Sequence, residues 1–214
     1  MINLISIICG RIFNRLLHFC LLFLVFHNCS AIDNSTITPT QAITDSQTLS
    51  STGGVFKLGF FSPPNSTHRY IGIWYEFDPR TIVWVANRDN PLTDSTGTLR
   101  ITDDGNLVVS DGRGVVFWTT DMSNISTPTN SVAELLDTGN FVLRLLTDVV
   151  WQSFDHPTNT LLPGMNIGGS IVTGKKLELT SWKSESDPST GIFSAGPELS
   201  NANNPQLIIW RNGS

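Results

Sequence analysis

Three tryptophans set a rhythm that few folds can accommodate. Trp84, Trp118 and Trp151 each close a short apolar run, and they follow one another at steps of 34 and 33 residues. Asn106 and Asn140, each directly after a glycine, keep the same beat at a separation of 34. A period of this size signals one supersecondary unit used repeatedly, and since no copy buries its apolar face alone, the copies must close round a shared core. Three copies predict a threefold arrangement in which every unit donates one indole to the centre.

The units read as β structure throughout. In the first, Phe56, Leu58 and Phe60 alternate on one face, and Tyr70-Ile-Gly-Ile-Trp-Tyr75 and Thr81-Ile-Val-Trp-Val85 read as paired strands separated by a turn at Asp78-Pro79. The second runs from Leu99 to Trp118 and the third from Val132 to Trp151, with short strands broken by Asp-Gly and Thr-Gly turns. Ile32 to Thr52 is polar and rich in Ser and Thr, and reads as an extended lead-in. No stretch after the first 31 residues keeps apolar spacing at helical period, so the expectation is an all-β fold with helix confined to the N-terminal segment.

That segment, residues 1–31, has the make-up of a secretory signal peptide: Arg11 and Arg15, an apolar run from Leu16 to Phe26, and small residues at Ser30-Ala31. The run is shorter than the roughly 20 residues a bilayer span requires, and nothing later is long and apolar enough to span. All three cysteines (Cys9, Cys20, Cys29) lie in it, so a chain cleaved after Ala31 has no disulfide and depends on packing. Cleavage removes 2 of the 13 basic residues and none of the 18 acidic ones, giving 11 − 18 = −7, a balance that speaks against nucleic acid or an anionic membrane as partner. Secretion also gives meaning to four Asn-x-Ser/Thr acceptors in loop-like stretches: Asn34, Asn65, Asn124 and Asn212.

After Pro157 the texture changes. New strands are expected at Leu177–Trp182, Gly191–Ser194 and Gln206–Trp210, and the chain stops at Ser214. Residues 32–157 therefore read as one domain and 158–214 as the incomplete start of a second β segment, with unpaired edges and poor order.

Longer words in the sequence are those of a known family. Phe56-Lys-Leu-Gly-Phe-Phe-Ser-Pro63, Val83-Trp-Val-Ala-Asn-Arg-Asp-Asn-Pro91, Asp137-Thr-Gly-Asn-Phe-Val-Leu143, Trp151-Gln-Ser-Phe-Asp-His-Pro-Thr158 and Ser181-Trp-Lys183 resemble the N-terminal ectodomain of plant S-locus glycoproteins and G-type lectin S-receptor-like serine/threonine kinases. The resemblance implies a bulb-type, mannose-binding monocot-type lectin domain, a β-prism of three four-stranded sheets with pseudo-threefold symmetry. It implies an apoplastic location, or the outer face of the plasma membrane within a longer receptor. The function it implies is binding of mannose-type glycans, and the alternative is a protein-interaction module, its sugar binding lost, that meets a peptide ligand or another S-domain receptor.

Bulb-type lectins carry a Gln-x-Asp-x-Asn-x-Val-x-Tyr run. Its period-2 spacing sets amide, carboxylate and hydroxyl groups along one side of a strand, where they can bond sugar hydroxyls while valine meets the apolar ring face. Carried over residue by residue, the second unit offers Thr102, Asp104, Asn106, Val108 and Ser110, which keep Asp, Asn and Val and lack the amide and the tyrosine. The third offers Leu136, Thr138, Asn140, Val142 and Arg144, keeping only Asn and Val. One period before Asp104 the slots fall on Tyr70, Gly72, Trp74 and Glu76, which keep nothing. Asn106 and Asn140 thus read either as sugar ligands or as turn residues after glycine, with Val108 and Val142 in the core.

Catalytic chemistry is not expected. Ser153, Asp155 and His156 are too close in sequence to converge as a triad. Gly169-Ser-Ile-Val-Thr-Gly-Lys-Lys176 fails as a phosphate loop, because Lys176 stands where Mg²⁺ needs a hydroxyl. Two histidines and no cysteines after residue 31 leave no metal-binding spacing, no cofactor is implied, and the kinase of full-length relatives lies outside this sequence.

Overall fold

A computed structural model describes residues 35–122, 130–169, 176–198 and 206–211, the side chains of Gly169 and Lys176 excepted. Residues 1–31, expected to be a signal peptide, together with Asn34, Asn124, Asn212 and most of the phosphate-loop look-alike, lie outside the described residues.

Three antiparallel hairpin units form the body: β4 (Phe56–Phe61), β5 (Tyr70–Tyr75) and β6 (Asp78–Val85); β7 (Thr98–Ile101), β8 (Leu107–Ser110) and β9 (Val116–Thr119); β10 (Ser131–Leu135), β11 (Phe141–Leu145) and β12 (Asp148–Gln152). Each unit gains its fourth strand from the lead-in. β1 (Thr36–Ile37) joins β10, β2 (Ala42–Thr44) joins β7, and β3 (Thr48–Ser50) joins β4, so the sheets run β1-β10-β11-β12, β2-β7-β8-β9 and β3-β4-β5-β6. A segment expected to be a plain extended lead-in thus laces all three sheets together.

The lacing has its own sequence logic. Ile37, Ile43 and Leu49 recur every six residues, and all three are buried in the common core. Between them the chain turns twice by one device: the Gln41 side-chain carbonyl accepts from both the N–H and the hydroxyl of Thr38 (3.1 and 3.0 Å), and Gln47 does the same for Thr44 (3.0 and 2.9 Å). Each turn moves the chain to the next sheet and delivers one apolar side chain inward.

At the centre the three indoles meet. Trp84, Trp118 and Trp151 have ring centroids 6.0, 6.1 and 5.6 Å apart in edge-to-face arrangements, the geometry that the aromatic quadrupole favours. Trp84 Nε1 donates to the His156 carbonyl at 2.8 Å, so the polar handle of a buried indole is satisfied. The core round them is largely aliphatic and drawn from all three prism sheets, with Leu58, Ile73, Leu99, Val109, Leu135 and Leu143 fully buried.

The first hairpin departs from expectation. Tyr75 pairs with Asp78, so the turn is Glu76-Phe77, and Asp78 and Pro79 begin β6. A proline fits there because the start of a strand tolerates a missing N–H. Helix among the described residues is limited to a 3-10 turn, Ser153–Asp155, and the 3-10 residue Asn130.

Beyond the prism, β13 (Gly168–Gly169) and β14 (Lys176–Leu177) make a two-stranded ribbon, and β15 (Leu179–Ser184), β16 (Asp187–Pro197) and β17 (Leu207–Arg211) form a three-stranded sheet. The expected looseness is not what β15 and β16 show. Arg88 of the Val-Ala-Asn-Arg-Asp-Asn-Pro run donates to the carbonyls of Pro188 (2.8 Å), Thr180 (3.3 Å) and Ser181 (2.8 Å), while Asp89 accepts from the N–H and hydroxyl of Thr190 (2.7 and 2.9 Å). Two charged side chains from the prism hold this hairpin.

Candidate functional site

Strand register fixes which residues are equivalent between units. Ile73 lies opposite Trp84, Val109 opposite Trp118 and Leu143 opposite Trp151, so positions three residues earlier, Tyr70, Asn106 and Asn140, share one place in the three sheets. The first-unit slots inferred from the 34-residue period are therefore displaced by two: Tyr70 takes the place of Asn106, and Gly72 that of Val108. The first hairpin is longer, and the excess is absorbed in irregularities beside Ile73 and Trp74.

Asn106 and Asn140 are built into matching turns. Gly105 and Gly139 adopt φ of 83° and 81°, which side chains other than Asn and Asp rarely tolerate, and the turns close through Thr102 N–H to Asn106 O and Leu136 N–H to Asn140 O, both 2.9 Å. From there each amide reaches inward. Asn106 Oδ1 accepts from Thr120 Oγ1 (2.9 Å) and Met122 N–H (2.7 Å), and Nδ2 donates to Asp104 Oδ2 (3.1 Å) and the Met122 carbonyl (3.2 Å). Its two acceptor and two donor places are all used within the protein. Asn140 repeats the pattern: Oδ1 accepts from Ser153 Oγ and Phe154 N–H, and Nδ2 donates to Gln152 Oε1 at 2.8 Å.

A second set of bonds repeats round the prism. Thr120 Oγ1 accepts the Leu107 N–H (3.1 Å), Ser153 Oγ accepts the Phe141 N–H (2.9 Å), and Asn87 Oδ1 accepts the Ile71 N–H (2.9 Å). In each sheet the chain leaving the tryptophan strand caps the same backbone donor. This role for Asn87, Thr120 and Ser153 was not read from the sequence, because the three residue types differ and only register aligns them. It also accounts for Ser153, whose hydroxyl is occupied between Phe141 and Asn140.

The remaining slot residues are closed as well. Val108 and Ser110 are 7% and 5% exposed and Val142 is 1% exposed, so the valines present no face for a sugar ring. Ser110 Oγ shares a 3.2 Å hydrogen bond with Thr98 Oγ1, and Thr102 Oγ1 donates to Asp104 and lies 3.0 Å from the Asn106 carbonyl. Of the second-unit residues only Asp104 is exposed, and of the third-unit ones only Thr138. The Thr102 hydroxyl, then the Asn106 N–H and amide, hold the Asp104 carboxyl below the ordinary carboxylate range.

Two expectations follow. Asn106→Ala would strand Met122 N–H and Thr120 Oγ1 in a buried setting, at a cost of about 2 kcal/mol in urea unfolding; a change under about 0.5 kcal/mol would mean the amide is not structural. The second concerns acid. Asp104, Asp94 and Asp111 all have folded pKa values lowered by hydrogen bonds to their ionised forms. A lowered folded pKa adds stability that is present above the unfolded value, about 3.9, and lost as pH falls through the folded one. The thermal midpoint should therefore hold level above about pH 5 and decline below about pH 4, with a shallower decline in Asp104→Asn.

Among the described residues no three or more His, Cys, Asp and Glu side chains come together as a metal site, and no helix is long and apolar enough to cross a membrane.

Three four-stranded sheets laced by one N-terminal segment round a tryptophan axis define a bulb-type lectin β-prism. The family model described as D-mannose binding lectin matches residues 81–183. The chain is 45% identical over 188 residues to the G-type lectin S-receptor-like serine/threonine-protein kinase SD1-13 of Arabidopsis thaliana, matching 86% of this chain and 22% of that protein. It is 42% identical over 196 residues to the S-locus-specific glycoprotein S6 of Brassica oleracea, matching 88% of this chain and 44% of that protein. Among solved structures it is similar to monomeric monocot mannose-binding lectins from Gastrodia elata, with 17% identity, 56% of this chain and 96% of that chain covered, and a TM-score of 0.44. The chain belongs to the family of S-locus glycoproteins and G-type lectin S-receptor-like kinases, and it spans about a fifth of the length of the receptor kinases it matches.

Proposed function

We propose that this chain is an extracellular recognition module, the lectin-type end of an S-domain receptor-like kinase or of a secreted S-locus-type glycoprotein. In this reading residues 1–31 direct secretion, 32–157 are the lectin domain and 158–214 open a second β segment held by Arg88 and Asp89. The ligand is a peptide or protein surface, met by the loops and sheet edges of a prism whose monosaccharide slot has closed on itself. The observation that carries this is the Asn106 amide, which spends every hydrogen bond on Asp104, Thr120 and Met122. A site that must bond hydroxyls has little selectivity left when its amide, hydroxyl and valine are all engaged elsewhere.

A second reading, binding of mannose-type glycans in the second unit, is favoured by Asp104, which is exposed, kept ionised, and followed by the Asn106 and Val108 of the lectin run. The two readings separate on immobilised mannose and a glycan array, probed with the secreted chain and with Asp104→Ala. The peptide reading expects no retention of either protein. Retention of the unmodified chain with loss in Asp104→Ala would replace it with the glycan reading.

A further inference from the structure

The three prism units do not close identically over the tryptophan axis. Trp84 Nε1 donates to the carbonyl of His156, which lies five residues past Trp151 on the chain leaving the third unit. The three indoles are spaced 6.0, 6.1 and 5.6 Å apart and every pair meets edge to face, so the triad is close to threefold. Turning it by one unit carries Trp84 onto Trp118 and His156 onto Asp89, five residues past Trp84. The bond that this symmetry calls for, Trp118 Nε1 to the Asp89 carbonyl, is absent among the described residues. Asp89 is engaged with Thr190 of β16, while Trp118 Nε1 has no partner there and is open to solvent.

A cavity of about 360 Å³ lies at this place. All three indoles wall it, with Arg88, Asp89 and His156, and the exposed Thr119 borders it. The volume falls within the range of small-ligand sites. Arg88 and Asp89 set opposite charges next to each other in the wall, which suits an uncharged ligand. Acceptors in the wall are committed: both Asp89 oxygens already accept from Thr190, Thr120 Oγ1 is bonded to Asn106 and to the Leu107 N–H, and the Thr158 hydroxyl donates to Asn159. What the cavity offers is aromatic surface and an indole donor.

We propose that this axial cup takes proline side chains of an extended peptide, with Trp118 Nε1 donating to the carbonyl of the residue before a proline. A proline ring lays C–H groups against an indole, and it brings no N–H, so it asks for no acceptor. Proline-rich segments are already ordered as polyproline II helices and dock in aromatic-lined grooves at little entropic cost. A monosaccharide matches less well, because its hydroxyls must donate as well as accept and the acceptors here are taken. The inference rests on the peptide reading of the proposed function and names the residue type which that peptide presents.

The secreted chain is titrated with a blocked oligoproline, and with a blocked Gly-Ser peptide of equal length as control, by calorimetry and tryptophan emission. Trp118→Phe keeps a ring and removes the N–H, and Thr119→Lys sets a long side chain at the cavity edge. The expected result is saturable binding of oligoproline alone with a blue shift in emission, about tenfold weaker in Trp118→Phe and lost in Thr119→Lys. Thr119 is exposed, so its variant carries the test if Trp118→Phe fails to fold. No saturable binding of oligoproline, or equal binding by both variants, overturns the inference. Methyl mannoside that shifts emission in the unmodified chain and not in Thr119→Lys would put a sugar in the cup and overturn the proline assignment. A blank glycan array together with no oligoproline binding ends this inference alone, whereas retention on mannose that is lost in Asp104→Ala ends the peptide reading with it.

Discussion

Trp151→Ala is expected to cost about 3–5 kcal/mol in chemical denaturation, the largest loss from any single side chain in the prism. The ring lies 6.1 Å from Trp84, 5.6 Å from Trp118 and 6.5 Å from Phe141, with His156 stacked on it at 5.4 Å, so its removal opens a cavity that borders all three units. Rigid β ladders on every side limit collapse into that space, which places the cost toward the upper end of the range. Trp84→Ala should follow closely, since it also removes the indole donor to the His156 carbonyl. Trp118 is only partly buried, and its loss should cost least of the three. The pair Trp84→Ala/Trp151→Ala should cost less than the sum of its parts, because the second truncation enters an existing cavity. Losses under about 1 kcal/mol at all three positions would mean that the axis is not the centre of the fold.

Arg88→Ala is expected to cost about 3 kcal/mol, concentrated in the β15–β16 hairpin. The guanidinium serves the carbonyls of Pro188, Thr180 and Ser181 at once, and hydrogen bonds from a charged donor are worth roughly twice neutral ones. Burial pulls its pKa below the usual arginine value, opposed by Asp89, but it stays charged at any pH of interest. Arg88→Lys should recover little, because a single ammonium cannot span three carbonyls held in a planar fork. Hydrogen exchange distinguishes this from general destabilisation: amides of residues 179–197 should lose protection while those of β8 and β11 keep it. Unchanged exchange in the hairpin would show that Asp89 and the Phe61–Trp182 stack hold it unaided.

Much of the prism is legible in the sequence. The tryptophan beat and the matching Asn106 and Asn140 marker located the units, since each unit needs one large residue at the axis and the second and third also carry a turn that positions an amide. What escaped was the lacing. β1, β2 and β3 are two or three residues long with one apolar residue each, so alternation has no length over which to show itself, and the six-residue spacing of Ile37, Ile43 and Leu49 becomes meaningful only once each is seen in a different sheet. The two-residue slip in the first unit arose similarly, because a period measured between tryptophans carries no information about bulges absorbed inside one hairpin.

The candidate site was half legible. Residue types alone showed that the second unit lacks the leading amide and closing tyrosine, but whether the surviving Asp104, Asn106 and Val108 were free to act depends on what else reaches them. Thr120 and Met122 sit 14 and 16 residues further along and arrive at Asn106 only because β9 folds back beside β8. The clamp was equally hidden: nothing beside Arg88 and Asp89 in the sequence marks their role, because their partners lie 92–101 residues away.

Sequence by itself determined the all-β character, the number of units and the family, since these depend on local alternation, turn glycines and repeated words, all properties of neighbours along the chain. Tertiary structure alone decided whether each polar side chain faces a ligand or a backbone group, because a buried amide bonds whatever the fold brings within about 3 Å of it, and at Asn106 that turned out to be the protein itself.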